Sequence, residues 1–577
     1  MRTSRTGLAV AVSVLVAATA PAAATTPDPL APYLTQKVSW GACPFKQRDQ
    51  SPSAQCARIT APRDWAAPAA GPELQVAISR VTATGDRRGA ILLNPGGPGG
   101  QGTSLAGALA GLEPSVREHY DFVGMDPRGT GQEGGTDPGF VCRVPLGRLP
   151  ADDGLDARDR SAGSIALHQR TPRVLAEACQ SDALAPYITT WQTAHDMDLI
   201  RALLGDEKLN YLGYSYGTWL GAKYASLFPE HAGRIVLDSS VDFEGRLQAA
   251  FEAFPKIDQR QFDRVYAPWL ARRFPDQLGK TAAEVRAKWE RLRAFFKGKG
   301  VPPDVFDHIF VGNGSGRQWL AGALVLTKGA AALDGTAKPP PAALKDDLDR
   351  VSRAVFGRPT EKLTAADVAA AAPELRRTQE LRRTQELEPD YADVPGTRFA
   401  VACGDQPARA ATWYKLLSDL QGPAYPLFGW AYGLSEPCGF WSDLPRHELP
   451  ELPVRAAKNV LVVQGEFDPQ TGYEQAETAA RAAGVPMISV ADSPFHGQYA
   501  VGGNSCVDDL VNTFFLGTTR PAATVCPGVP LPGENKVFPV EGPAGEPTAP
   551  SEPAPRDAHS PTRQRLQDTI SSVNRGD

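Results

Sequence analysis

The stretch Leu209-Asn210-Tyr211-Leu212-Gly213-Tyr214-Ser215-Tyr216-Gly217-Thr218-Trp219-Leu220 constrains the rest of the chain more than any other. A short, mostly apolar run stops at Gly213, and a helical pattern starts after Ser215. Gly-x-Ser-x-Gly in that strand–turn–helix setting is a nucleophile elbow. The turn is so tight that a Cβ at either glycine would crowd the neighbouring strand or helix. Ser215 is thereby pressed into a strained backbone with its hydroxyl exposed at the end of a sheet. Alone, the five residues are equally a plain Gly-Ser turn, so the elbow is judged by what surrounds it.

Apolar runs with strand character surround it at 74–81, 90–94, 120–125 and 234–238, and return at 460–464 and 486–490. Helical patterns lie between several of them, including Met197, Ile200, Leu203 and Leu204 on one face. Strands alternating with helices predict an α/β fold, a mostly parallel sheet flanked by helices. The alternation breaks between the two sets of strands. Phe262, Val265, Tyr266, Trp269 and Leu270 follow helical spacing, with a kink required at Pro268, and Val285, Trp289, Leu292 and Phe296 form a second stripe. These aromatics read as core. At 577 residues the chain exceeds what one core supports. The division expected is an α/β domain in two parts, 38–241 and 451–527, with a helical cap inserted over 242–450. A short duplication at 374–385 reads as a charged, solvated helix. The stretch 528–577, rich in Pro, Glu, Ala and Ser, reads as a largely disordered tail in which 563–573 forms an isolated helix.

Residues 1–24 have the form of a signal peptide: Arg2 and Arg5, an apolar run over 8–18 too short to span a bilayer, and Ala22-Ala23-Ala24 as a cleavage site. A secreted protein without a membrane span is therefore expected. Its eight cysteines, Cys43, Cys56, Cys142, Cys179, Cys403, Cys438, Cys506 and Cys526, contain no C-x-x-C pair, which argues against zinc and thioredoxin-like chemistry. An even number behind an export signal predicts four disulfides, and pairing in sequence order closes four short local loops. Lys and Arg (60) nearly balance Asp and Glu (65), so no nucleic-acid surface is indicated. No cofactor or metal is called for, and a monomer is expected.

A serine hydroxyl needs a base to take its proton, and the base needs an acid to hold its tautomer. Asp468 directly follows the strand run ending at Gln464, and His496 follows the run ending at Val490. Ser, Asp and His then occur in the chain order of α/β-hydrolase triads, on loops at the carboxyl ends of strands. Glu466 competes with Asp468 for the acid, whereas His231, His308 and His447 lack a preceding buried strand. An oxyanion hole needs two backbone N–H groups. Tyr216, after the nucleophile, is one candidate donor, and Gly97 in Asn94-Pro95-Gly96-Gly97-Pro98-Gly99-Gly100 is the other. That loop lacks the Lys-Ser/Thr and the glycine spacing of a phosphate-binding loop.

Together with Val123-Gly124-Met125-Asp126-Pro127-Arg128-Gly129, these motifs resemble the secreted bacterial tripeptidyl aminopeptidases, serine exopeptidases of the α/β-hydrolase fold allied to prolyl aminopeptidases. The likeness spans about 38–527, is weak through the cap, and includes Cys506 and Cys526 as a C-terminal pair. It implies Ser215 as nucleophile, His496 as general base and acid, and Asp468 as its partner. Gln132-Glu133-Gly134-Gly135 and Glu466-Phe467-Asp468-Pro469-Gln470-Thr471 depart from the common pattern and bear on substrate preference. The resemblance also implies cap acids that hold the substrate's amino group, for which Asp242, Glu244, Glu252, Asp405 and Glu436 are candidates. The expected activity is release of short peptides, tripeptides among them, from free N-termini. An esterase or lipase on the same machinery and a non-catalytic binding protein are the alternatives.

Overall fold

The computed structural model describes residues 28–44, 54–131, 136–150, 155–371, 390–517, 519–549 and 560–573. The signal-like segment, the 132–135 turn and the duplication at 374–385 lie outside them.

In chain order the strands are β1 (Gly41–Ala42), β2 (Gln55–Pro62), β3 (Glu73–Val81), β4 (Gly89–Asn94), β5 (Tyr120–Met125), β6 (Val141–Pro145), β7 (Leu209–Tyr214), β8 (Ala232–Asp238), β9 (Tyr391–Pro395), β10 (Val460–Gly465), β11 (Met487–Val490) and β12 (Thr524–Cys526). Ten of them form one sheet in the order β1-β2-β3-β5-β4-β7-β8-β10-β11-β12. The pairings from β1 to β5 are antiparallel, and every later one is parallel. β4, β5, β7, β10 and β11 are buried at every position, as strands covered on both faces must be. Their side chains alternate between two cores. Ala90, Leu92, Leu209 and Tyr211 enter one, whereas Ile91, Leu93, Leu212 and Tyr214 enter the other.

The segment between β8 and β10 contributes to two cores, with Leu427 and Phe428 joining the one built by its first half. Residues from Phe262 to Val368 build a separate aromatic core around Trp269, Trp289 and Trp319. Ala400, Cys403, Tyr414 and Trp441 instead join the core beneath the sheet, and β9 pairs with β6 in a two-stranded sheet. The helix expected to kink at Pro268 passes through a π-helical turn, Phe262–Tyr266, and restarts at Ala267–Arg273 with the proline in its first turn. There the missing N–H costs least.

Four disulfides join Cys43–Cys56, Cys142–Cys179, Cys403–Cys438 and Cys506–Cys526 in sequence order, with separations of 13, 37, 35 and 20 residues. Among the described residues, no helix is long and apolar enough to cross a membrane.

The largely disordered tail is a correction. Of its described residues, Leu531 is buried, the Pro532 carbonyl accepts from the Trp269 indole at 3.0 Å, and Arg272 pairs with Glu534 at 2.8 Å. Pro561–Val573 is a helix, but a docked one, with Leu566 and Ile570 buried. Average composition conceals this because two apolar residues four apart suffice to seat one helix face.

Candidate active site

β7 ends at Tyr214, and the helix Tyr216–Leu227 starts one residue later, so Ser215 alone makes the turn. Its φ of 59° is a left-handed value that a side chain adopts only under constraint. The glycines around it leave no alternative. A Cβ on Gly217 would lie 2.9 Å from Asn94 Oδ1, and one on Gly96 would lie 2.5 Å from the Tyr214 carbonyl and 2.7 Å from Ser215 Cβ. Gly96, Gly97 and Gly99 all have positive φ, so the loop after β4 is built to lie against the elbow. The same notional Cβ on Gly96 is 3.2 Å from Tyr216 N, so the loop that carries Gly97 lies against the residue after the nucleophile. Asn94 Oδ1 accepts from Gly96 N at 2.9 Å, and Asp126 Oδ1 accepts from Thr103 N at 2.9 Å, pinning both ends of this loop. Burial pushes the Asp126 carboxyl up to about 6.

His496 and Asp468 are both completely buried, and His496 Nδ1 lies 2.9 and 3.0 Å from the two Asp468 oxygens. The carboxylate also accepts from Gln470 N at 2.8 Å, Thr471 N at 3.0 Å and Thr471 Oγ1 at 2.9 Å. Glu466, the competing acid, points elsewhere. It accepts from Asp492 N at 2.8 Å and Ala544 N at 2.7 Å.

What the sequence reading missed is the hub joining these parts, Asp238-Ser239-Ser240 at the end of β8. The Asp238 carbonyl accepts from Ser215 N at 3.0 Å, and its buried carboxylate accepts from Gln498 N at 3.0 Å and Tyr499 N at 2.7 Å. Ser239 Oγ accepts from Gly497 N at 2.8 Å, and Ser240 N donates to Gln464 Oε1 at 2.7 Å. One tripeptide thus touches the loops of Ser215, His496 and Asp468. Burial pushes the Asp238 carboxyl up to about 8, against the pull of its two backbone donors. Among the described residues, the four non-glycine residues with positive φ are Ser215, Ser239, Asp492 and Ala500, all on loops at this end of the sheet. Strain concentrated this way marks a functional region. The polar triplet directly after a buried strand was the available sequence signal.

The five cap acids separate by their contacts. Asp242 closes a turn onto Glu244 N and Gly245 N, and Glu244 accepts from Leu452 N at 3.2 Å. Asp405 is buried and accepts from Thr190 N at 2.8 Å and the Trp219 indole at 3.1 Å. Burial pushes its carboxyl up to about 6. Glu252 and Glu436 remain. Glu252 meets Arg409 at 3.1 Å and the Trp413 indole at 3.3 Å, and Glu436 accepts from Cys438 N at 3.3 Å. Burial raises both carboxyls, and the charge of Glu252 raises Glu436 further. Arg398, whose charge opposes that rise, follows Thr397, against which Gly99 of the glycine loop packs.

The sequence profile of the alpha/beta hydrolase fold matches residues 89–487, and with the sheet order and elbow it defines the class: this is an α/β hydrolase. Tripeptidyl aminopeptidase from Streptomyces coelicolor is 32% identical over 82% of this chain and 83% of its own. Serine protease Hip1 from Mycobacterium tuberculosis is 35% identical over 37% of this chain and 41% of its own. A protein named carboxylesterase B, also from Mycobacterium tuberculosis, is 30% identical over 90% of this chain and 95% of its own. The chain belongs to the tripeptidyl aminopeptidase family, and it is a serine peptidase of the α/β-hydrolase fold.

Proposed function

We propose that the protein is a secreted aminopeptidase that releases short peptides, tripeptides among them, from free N-termini through an acyl-enzyme on Ser215. The observation that carries the reading is the convergence of the elbow, the glycine loop and a buried His496–Asp468 pair on one end of the sheet. With Asp468 accepting from Nδ1, the proton of His496 is fixed on that nitrogen, and Nε2 is left to take the Ser215 proton. As Ser215 Oγ attacks the scissile carbonyl, the developing oxyanion is received by the Gly97 and Tyr216 N–H groups. Tyr216 heads a helix of 12 residues, whose N-terminal dipole favours that charge. His496 then passes the proton to the leaving amine, and water reverses the sequence to free the peptide.

Glu252 and Glu436 are the cap acids we assign to the substrate's ammonium group. Glu252 stands close enough to Glu436 for its charge to raise that carboxyl, so the pair offers two acids to one cation, whereas Asp242 closes a local turn, Glu244 is held by Leu452 N and Asp405 is buried on Thr190 N and the Trp219 indole. Secretion is supported by the form of residues 1–24 and by four disulfides, which persist in oxidising compartments.

The test compares one chromogenic tripeptide with its N-acetylated form and with a matching ester. Removing one partner of a desolvated ion pair costs about 3–5 kcal/mol, so acetylation is expected to lower kcat/KM by roughly a hundredfold or more. Equal rates with and without the acetyl group would overturn the aminopeptidase reading. Turnover of the ester alone would favour the esterase reading that the 30% identity to a carboxylesterase B supports.

A further inference from the structure

The loop that carries His496 is strained at both ends, at Asp492 and at Ala500, each with φ 60°. Such a loop holds its shape only where its surroundings over-determine it. Both ends are tied to the C-terminal segment. Asp492 Oδ1 accepts from Val540 N at 2.6 Å, and the Ala500 carbonyl accepts from Arg563 Nη1. Arg563 is buried and also meets Asp508 at 3.5 Å. One turn from the end of the helix Pro561–Val573, Ile570 is fully buried, its Cγ2 3.6 Å from where a Cβ on Gly497 would stand. The next carbonyl, of Ser571, accepts from Gln470 Nε2 at 2.7 Å. Gln470 belongs to the turn whose N–H groups hold Asp468, and its side chain also donates to the Gly312 carbonyl at 2.8 Å. On the remaining side the Gly314 carbonyl accepts from His496 N at 2.8 Å.

We infer that the stretches 540–549 and 560–571 act as positioning elements of the active site, with Val540, Arg563 and Ile570 holding the His496 loop and Ser571 holding the Asp468 turn through Gln470. The inference rests on the assignment of Ser215, His496 and Asp468 to the chemistry. None of these contacts reaches a substrate group, so their loss acts on turnover through the placement of the imidazole. A displacement of about 1 Å in a reacting group lowers rates by up to a hundredfold, whereas the cap surfaces that bind substrate are untouched.

Arg563→Gln, Ile570→Ala and the conservative Ile570→Val are made in the full-length chain. Turnover of the free tripeptide is measured well below the melting temperature and divided by the number of sites titrated to completion with a fluorophosphonate, so that unfolded molecules do not count. Arg563→Gln and Ile570→Ala are expected to lower kcat on the order of tenfold or more with KM within about twofold, and Ile570→Val to restore most of it. Unchanged kcat per titrated site in both variants would overturn the inference. A rise in kcat would do so too, and would make the helix an inhibitory plug. Ser215→Ala, with its turnover expressed per mole of folded protein, separates the two readings. Its full activity would remove the active-site assignment itself, whereas an inactive Ser215→Ala beside a wild-type Ile570→Ala would remove only the role of the tail.

Discussion

The end of the sheet and the wall of the cap treat their carboxylates in opposite ways. Asp468 and Asp238 are wholly buried, and their oxygens are met by backbone N–H groups, a hydroxyl or an imidazole. Glu252 and Glu436 keep contact with solvent, Glu252 leaning on an arginine and an indole and Glu436 on the Cys438 N–H and the Tyr432 hydroxyl. Groups fixed before the reaction need no reorganisation as charge develops, so the dry set contributes to turnover. Longer, wetter carboxylates can take up an ammonium ion and let it go, so their contribution falls on binding. On the proposed function, rate falls to the sheet and selectivity to the cap, and substitutions on each side ought to separate kcat from KM.

The sharpest break comes from Ser215→Ala, which is expected to lower kcat on the order of 10⁴- to 10⁶-fold in a folded protein. His496→Ala and Asp468→Asn belong to the same class. Single-turnover assays with the free tripeptide check this, and a Ser215→Ala protein that still reacts with a fluorophosphonate would remove the sheet end from the chemistry. Next is Gly96→Ala. Its Cβ would meet the Tyr214 carbonyl at 2.5 Å, which is backbone and cannot swing aside, and its φ of 99° suits no L side chain. Displacing an oxyanion loop costs about 10²- to 10³-fold in kcat, and a change confined to KM would show that this loop binds substrate instead.

On the cap side, Glu436→Gln is expected to raise KM roughly tenfold to a hundredfold with little change in kcat. The two glutamates also predict a pH effect. Their carboxyls are raised by burial, so they take up protons at a less acidic pH than ordinary glutamates. A protonated carboxyl no longer pairs with an ammonium. As pH falls, kcat/KM for free tripeptides therefore drops early, through KM, and the acetylated substrate does not share that drop. A pH profile identical for both substrates would detach Glu252 and Glu436 from the amino group.

How far each side could be read beforehand follows the same division. Ser215, Asp468 and His496 announce themselves because each follows a buried strand within a few residues, so local pattern places them on one edge. The pairing of β6 with β9 joins residues 141–145 to 391–395, and nothing local to either stretch indicates it. The proposed pair Glu252 and Glu436 comes from segments comparably far apart, and nothing local to either singles it out among the five acids. The tail failed for a different reason. Its composition is that of a disordered segment, yet its anchors are single groups such as Arg563, Ile570 and the Val540 N–H, which an average over fifty residues dilutes.

The smallest expected effect tests whether the dry side is as fully charged as its role in positioning suggests. Burial pushes the Asp238 carboxyl up to about 8 in the folded protein, against an ordinary value near 4. Between those values the folded state binds the extra proton and the unfolded state does not. The stabilisation linked to Asp238 is therefore complete below about pH 4 and lost as pH rises through about 8. Asp238→Asn cannot take part in this exchange, although it keeps a carbonyl oxygen for one of the two N–H groups of Gln498 and Tyr499. Urea denaturation at about pH 5, 7 and 9 is then expected to show wild type losing stability relative to Asp238→Asn as pH rises. Parallel slopes would mean that Asp238 stays ionised throughout and that its backbone donors outweigh burial. Asp238 would then be a second fixed negative charge at this end of the sheet, held by the Gln498 and Tyr499 N–H groups of the loop that carries His496.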